Sequence, residues 1–253
     1  MKTTWIKSLA VIGFCALQSH AVLGIGVHWA PEPGLEVKAA KDTITSPNLA
    51  RTLILDEKGF SGAQGFGAKL WLDFIPLVDV EATGNLQFGY YDVALQSSNA
   101  AAANTPLTFD LGVPGLEGKP FFAHAYGDAA VLYPLFKFPP LVNLIKVYAG
   151  GGLSYGVATP VLSPKFAKKA LADGGYDPTT QNEGQAAAII AKAMENADFE
   201  KGLGWFLQAG ARAKLPVLPI AAYADLKYAF PGIDPELVSG DGLTFELGGG
   251  FAF

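Results

Sequence analysis

Residues 78–91, VDVEATGNLQFGYY, decide the fold class of this chain. The apolar or small residues Val78, Val80, Ala82, Gly84, Leu86, Phe88 and Tyr90 alternate with a mostly polar row that begins with Asp79, Glu81 and Thr83. Alternation with period two places the two rows on opposite faces of a β-strand. Fourteen such residues span about 45 Å, well beyond the usual five or six residues of a strand. A strand of this length with one apolar face is typical of a tilted membrane crossing.

Seven further segments repeat the alternation, at residues 23–29, 66–74, 121–133, 146–157, 203–215, 220–230 and 243–253. The links between the eight segments alternate in length. Short links that contain Pro lie at 75–77, 137–143 and 216–219, and long links lie at about 31–62, 97–119, 159–202 and 231–242. Outer-membrane barrels have short periplasmic turns and long external loops. The sequence therefore predicts an all-β fold, an eight-stranded antiparallel transmembrane up-and-down β-barrel, with both chain ends on the periplasmic side.

The composition of the 253-residue chain agrees with this fold and excludes other classes. Half of the residues are hydrophobic and only 16% are charged, whereas soluble domains carry about 25% charge. A single Cys excludes a disulfide scaffold. With a net charge of −5, the chain does not have the positive potential that contacts with phosphate groups need. No nucleic-acid partner is therefore expected. We expect small residues to line a narrow interior and Phe, Tyr and Trp to face lipid.

The first 21 residues are typical of a secretory signal peptide. Lys2 and Lys7 precede an apolar run at 8–17, and small residues at Ser19 and Ala21 predict cleavage after Ala21. The apolar run is too short for the alternative, an N-terminal membrane anchor. The predicted domain organisation is thus a signal peptide at 1–21 and a barrel at 22–253.

Together, these features resemble the small bacterial outer-membrane β-barrels of the OmpA-type or OmpW-type class, over essentially the whole mature chain. Phe245, Leu247, Phe251 and Phe253 resemble the C-terminal signal that the barrel-assembly machinery reads in that class. The resemblance implies an outer-membrane localisation, contact with outer-membrane lipid, and the barrel-assembly machinery as a partner during biogenesis. The alternative fold is a soluble barrel of lipocalin type, in which the apolar rows point inward.

If the apolar rows face lipid, six acidic and five basic side chains point into the lumen. They are Lys69, Asp73, Asp79, Glu81, Asp128, Lys146, Arg212, Lys214, Asp225, Lys227 and Glu246. An unpaired buried charge is costly, so we expect these groups to pair across the lumen. Because eight strands enclose an interior that side chains can fill, this interpretation favours a closed barrel with a structural or interaction role. The inward Gly and Ala residues leave a second possibility, a narrow pore for small and even apolar solutes.

A third hypothesis is a membrane-embedded lipid hydrolase. Residues 122–126, with His124 and Tyr126, superficially resemble the strand that carries the His/Ser pair of lipid A deacylases. Tyr126 stands where the nucleophilic Ser belongs, so the essential hydroxyl is missing. The sequence has no phosphate loop and no His/Cys cluster with metal-ligand spacing. We therefore expect no enzyme activity, no catalytic residue, no metal and no cofactor.

Residues 164–201 predict a helical excursion in one long loop, with helices at 165–172 and 183–201 and a Gly-rich turn between them. Ala187, Ile190, Ala191, Met194 and Ala197 form an apolar stripe on the second helix. The stripe has two interpretations. Either the helices form a partner-binding lid over the barrel mouth, or they fold onto the rim and cover only their own loop.

Overall fold

Eight alternating strands close into an antiparallel barrel, as a computed structural model of the chain shows. The structure describes residues 23–45, 52–73, 77–97, 104–107, 120–139, 144–215, 218–230, 238–239 and 242–253. The barrel strands are β1 (Leu23–Trp29), β5 (Phe60–Leu72), β6 (Asp79–Tyr90), β9 (Phe121–Phe138), β10 (Ile145–Ala158), β11 (Glu200–Lys214), β12 (Ile220–Phe230) and β14 (Leu243–Ala252).

Each barrel strand pairs with the next barrel strand along the chain, and the pairing of β1 with both β14 and β5 closes the ring. The register runs without a shift along most ladders; Val27 lies opposite Ala68 and Gly249, for example. The predicted up-and-down topology is therefore confirmed. The predicted signal peptide at 1–21 lies outside the described residues and stays a prediction.

Burial in the barrel is inverted relative to a soluble protein. On β1, Leu23, Ile25, Val27 and Trp29 are exposed on the outer face, whereas His28 is buried in the lumen. The inversion extends around the barrel, because the lumen holds the charged side chains and the outer face holds the large apolar ones. Apolar outside and polar inside is the arrangement of a transmembrane barrel. It is opposite to the lipocalin-type alternative, in which the apolar rows would point inward.

Aromatic side chains on the outer face concentrate near both ends of the barrel. At the long-loop end, Trp205 and Phe230 stack with ring centroids 3.7 Å apart. At the short-turn end, Phe251 stacks with Phe253 at 6.2 Å. Aromatic girdles at these two levels anchor barrels at the two membrane interfaces.

The long connections contain further secondary structure beyond the predicted helical excursion. The additional strands are β2 (Glu32–Val37), β3 (Ala40–Thr43), β4 (Leu53–Glu57), β7 (Val93–Ser97), β8 (Asn104–Pro106) and β13 (Val238–Ser239), and the helices are α1 (Pro164–Asp173) and α2 (Glu183–Glu195). Strands β3, β4, β7 and β8 form a separate four-stranded antiparallel sheet in that order. We call this sheet together with α1 and α2 the cap.

The cap shares one apolar core with the long-loop end of the barrel. Leu53, Leu55 and Leu95 of the sheet are fully buried, and they belong to the same cluster as Ile190 of α2 and Phe122 of the barrel rim. The further members of this core include Leu35, Val37, Val93, Leu107, Ala158, Val161, Leu162, Ala167, Leu171, Ala186 and Met194. The helices therefore pack on the cap sheet and share its apolar core with the barrel rim, so they do not cover only their own loop.

Local sequence signals set the ends of both helices. Pro164 occupies the first turn of α1, and the Ser163 hydroxyl accepts a hydrogen bond from the Phe166 amide at 3.1 Å. Asn182 and Gln185 form a reciprocal capping box at the start of α2. Helix α2 ends at Glu195, earlier than the predicted residue 201, because the chain enters β11 at Glu200. No helix in the described part of the chain is long and apolar enough to cross a membrane.

Candidate functional site

The lumen holds the candidate site, since all eleven charged side chains singled out in the sequence lie there. Ten lie on the inner faces of β5, β6, β9, β10, β11, β12 and β14, and Asp73 follows directly after β5. Each forms at least one ion pair with a group of opposite charge. The inward alternation brings these groups together because the strands that carry them are neighbours or face each other across a narrow ring.

At the short-turn end, Asp73 is the centre of a cluster of bases. Its carboxylate lies 3.1 Å from Lys146 Nζ, 3.1 Å from an Arg212 guanidinium nitrogen and 3.1 Å from Lys214 Nζ. Lys146 also pairs with Asp79. Lys214 thus joins the same acid as Lys146 and Arg212. One acid that serves three bases ties β10 and β11 to the turn after β5.

Arg212 continues the network towards the middle of the lumen, where it pairs with Glu81. Its guanidinium carbon lies 4.4 Å from the ring centre of Trp71 and 5.3 Å from that of Tyr148. Only 1% of the Arg212 surface is exposed. Arg is suited to this position because its planar group can pair with a carboxylate and stack on aromatic rings at the same time.

In the middle of the lumen, Lys69 contacts several acidic side chains. Its Nζ pairs with Asp225 and lies 2.8 Å from Glu246 and 3.4 Å from Glu81. Gln208 donates from Nε2 to Glu81 at 3.2 Å and to Asp225 at 3.1 Å. Three carboxylates from three strands therefore share one buried ammonium group, and two of them, Glu81 and Asp225, also share the Gln208 amide.

Near the long-loop end, Lys227 bridges Asp128 at 2.8 Å and Glu246 at 2.6 Å. His28 donates from Nε2 to the Asn85 side-chain oxygen at 2.6 Å, and Asn85 donates to Glu246 at 3.1 Å. The network is thus continuous from Asp73 at one end to this group at the other. Its six acids and five bases leave one negative charge in excess, and the His28 ring lies 3.8 Å from the carboxylate of Glu246.

Large side chains occupy the room that inward glycines leave. A Cβ at Gly24 would come within 1.9 Å of the Trp71 ring, and a Cβ at Gly248 within 2.7 Å of the Tyr223 ring. A Cβ at Gly210 would come within 1.8 Å of an Asp225 oxygen. The glycines therefore allow aromatic and acidic side chains to lie flat against the barrel wall.

The expectation that Phe, Tyr and Trp face lipid is wrong for some aromatic residues, which the alternation of their segments places in inward rows. Trp71, Tyr148 and Tyr223 are buried inside the barrel, although the composition predicts that Phe, Tyr and Trp face lipid. The signal was present, because all three belong to inward rows of their alternating segments. Composition alone could not separate them from the girdle aromatics on the outer rows.

The hypothetical hydrolase segment, residues 122–126, carries Tyr126 and no Ser beside His124. The rings of His124 and Tyr126 lie 5.0 Å apart between centroids, and the Tyr126 hydroxyl accepts a hydrogen bond from Gln87 at 3.3 Å. Among the residues that the structure describes, no group of three or more His, Cys, Asp or Glu residues is arranged to hold a metal ion.

The residues of the predicted C-terminal assembly signal lie on or directly after the last strand. Phe245, Leu247 and Phe251 point outward from β14, and Phe253 is exposed beyond its end. The main chains of Leu23 and Phe253 form two hydrogen bonds, at 3.3 and 2.8 Å. The aromatic end of the chain is therefore held at the short-turn rim beside the first strand.

Comparison with known proteins gives similarity at the level of the fold. No family model matches the sequence, and no curated protein matches it. Among solved structures, the chain is similar to the outer membrane protein OprG from Pseudomonas aeruginosa, at 10% identity and a TM-score of 0.45 over 91% of this chain and 95% of that one. It is also similar to Ail, the attachment invasion locus protein of Yersinia pestis, at 12% identity and a TM-score of 0.41 over 91% of this chain and 97% of that one. The closed eight-stranded barrel of this chain has the architecture of the predicted outer-membrane class.

Proposed function

We propose that this chain is a non-conducting barrel of the outer membrane with a structural or interaction role. In this proposal the short turns and both chain ends face the periplasm, and the cap is displayed on the cell surface. The single observation that carries the proposal is the continuous network of paired charges and aromatic rings across the lumen.

The energetics of buried charge favour a permanent filling over a mobile gate. Lys69 and Arg212 are each about 99% buried. Removing one partner from a buried ion pair costs about 3–5 kcal/mol, because the remaining charge is left without compensation. Opening the lumen would separate several pairs at once, and no single conformational change in one loop would compensate for that loss.

The cap supports the same proposal from the other end of the barrel. Its helices and sheet share their apolar core with Phe122 and Ala158 at the rim. A solute would have to pass this core before it reached the charged network. The barrel thus combines a filled lumen with a folded surface domain, which suits a protein that acts by contact.

A non-enzymatic role is part of the proposal. The segment around His124 carries Tyr126 at the position that a hydrolase of this kind would give to Ser. The charged groups of the lumen are instead paired with one another, as the pairs around Lys69 illustrate. Their role in this proposal is to hold strands together.

Planar-bilayer recording of the refolded protein tests the proposal. We expect wild-type protein to give no discrete conductance steps, because the pairs of Arg212 with Glu81 and Asp73 close the short-turn half of the lumen. The double variant Glu81→Ala with Arg212→Ala removes a complete pair and serves as the opened control. Folding of both proteins is verified by the shift in gel mobility on heating. Discrete steps from correctly folded wild-type protein would overturn the closed-barrel proposal in favour of a narrow pore.

A further inference from the structure

Glu57 is a buried carboxyl that the lumen network does not use. It lies at the end of β4 in the cap, opposite Ala40 of β3 and Val93 of β7. Its side chain is on the buried face of the sheet, and 1% of the residue surface is exposed. The neighbouring Asp56 is on the other face, where it pairs with Lys41 at 3.0 Å. Two adjacent carboxyls of one strand therefore have opposite surroundings.

Neither carboxyl oxygen of Glu57 has a hydrogen-bond partner among the described residues. The residues two and four positions earlier on its face are Leu55 and Leu53, and Val93 and Leu95 lie on the paired strand; all four belong to the apolar core of the cap. Burying a charged carboxylate without a partner is far more costly than burying the neutral acid. The closed cap therefore accommodates the protonated form of Glu57.

Among the residues that the structure describes, no titratable group on a neighbouring element compensates a charge at Glu57. Tyr91, which precedes β7, interacts electrostatically with the Glu57 carboxyl. Burial, together with this interaction, raises the pKa of Tyr91. The Tyr91 hydroxyl accepts a hydrogen bond at 3.4 Å from the amide of Leu162, which lies two residues before α1.

The other charged groups that the structure describes around the cap are engaged elsewhere or point to solvent. On β3, Lys41 pairs with Asp56, and Asp42 pairs with Lys168 of α1 at 2.7 Å. Further cap or rim groups are exposed, namely Lys58, Asp92, Lys165, Lys169, Lys192 and Glu195, and Glu32 at the barrel mouth lies near Tyr126.

We propose that Glu57 is a proton-controlled latch that keeps the cap packed on the barrel mouth. While the carboxyl is neutral, β4 and β7 pack against α2 and the barrel rim. When the carboxyl loses its proton, the ion can be hydrated only if the end of β4 separates from this core. The latch thus couples external pH to the opening of the cap, while the barrel beneath it stays closed.

The direction of the pH effect follows from burial. Burial raises the pKa of Glu57 from 4.5 to about 8. A group whose pKa is raised in the closed state stabilises that state fully below its ordinary pKa. The stabilisation is lost as the pH rises through the raised value. The cap should therefore be tightest near pH 5 and loosest above pH 8.

Hydrogen exchange of the full chain in lipid vesicles between pH 5 and pH 9 tests the latch. After correction for intrinsic exchange, we expect the opening equilibrium of the β4 and β7 amides to rise by up to about tenfold per pH unit and to level above pH 8. The amides of β11 and β12 should keep their protection throughout. Glu57→Gln has nearly the same shape without a titrating proton, so it should make cap opening independent of pH.

Asp56→Asn is the matched control, because it removes a carboxyl from the exposed face of the same strand. This variant should keep the wild-type pH dependence. A wild-type pH dependence in Glu57→Gln, or its loss in Asp56→Asn, would overturn the latch. If Glu57→Gln does not fold, Glu57→Leu tests the same point with an apolar side chain, and a pH-dependent cap in that variant would also contradict the proposal.

Discussion

Inside the barrel, several glycines lie opposite large side chains of neighbouring strands. Gly24 lies opposite Trp71, Gly248 opposite Tyr223, and Gly210 opposite Asp225. Because each glycine lacks a Cβ, the partner side chain can lie directly against the backbone of the glycine's strand. The same residue type has a different role on the outer face, where Gly84 and Gly127 lie opposite each other and an added Cβ would meet no atom within 4 Å.

This contrast predicts that a Gly→Val substitution lowers stability much more at an inward position than at an outward one. Gly24→Val should lower the free energy of unfolding by about 1–3 kcal/mol, because the new side chain overlaps Trp71. Gly84→Val adds the same side chain on the outer face and should change it by no more than about 0.5 kcal/mol. Urea unfolding in lipid vesicles measures both values. Equal losses in the two variants would contradict the packing role of the inward glycine.

Among the elements, the barrel strands were predictable and the cap sheet was not. The segments at 23–29 and 220–230 coincide with the bounds of β1 and β12, because long alternation is a signal that each strand carries by itself. Residues 53–57 also alternate in burial, but five residues give little periodicity. The partner strands of β4 are β3 and β7, and the distance in sequence between β4 and β7 hides their pairing.

The stripe at Ala187, Ile190, Ala191, Met194 and Ala197 predicted α2. The buried face of the helix includes Ile190 and Met194, whereas Ala197 lies beyond its end at Glu195. The ion pairs of the lumen were predictable only as a set of inward charges. Which acid pairs with which base depends on the register of the strands and on the length of the side chains, as the pair of Lys214 with Asp73 illustrates.

The capping box of α2 gives a prediction for this element. Asn182→Ala removes the side-chain oxygen that accepts from the Gln185 amide at 3.0 Å. We expect a loss of about 1 kcal/mol in local stability, seen as faster hydrogen exchange in the first turns of α2. Asn182→Asp keeps an acceptor at the same position and should retain the protection. If the Ala and Asp variants exchange equally fast, the capping contact does not stabilise the helix.

For the molecule as a whole, the inverted burial predicts where a charge is tolerated. Leu226 points outward near the middle of β12, so Leu226→Arg should destabilise the barrel by about 2–4 kcal/mol in a bilayer. Phe199 is also exposed but precedes β11, and Phe199→Arg should cost no more than about 1 kcal/mol near the interface. Urea unfolding in vesicles compares the two variants. Equal tolerance at both sites would be inconsistent with a lipid-facing β12.

The closing seam of the ring has a consequence for biogenesis. The ladder between β1 and β14 joins the beginning of the described chain to its last residues. Before β14 is paired, β1 and β12 each have an edge with unpaired amides and carbonyls, which hydrocarbon does not tolerate. The ring can therefore be sealed only after β14 has been synthesised. A truncation before Leu243 leaves these two edges without the strand that joins them.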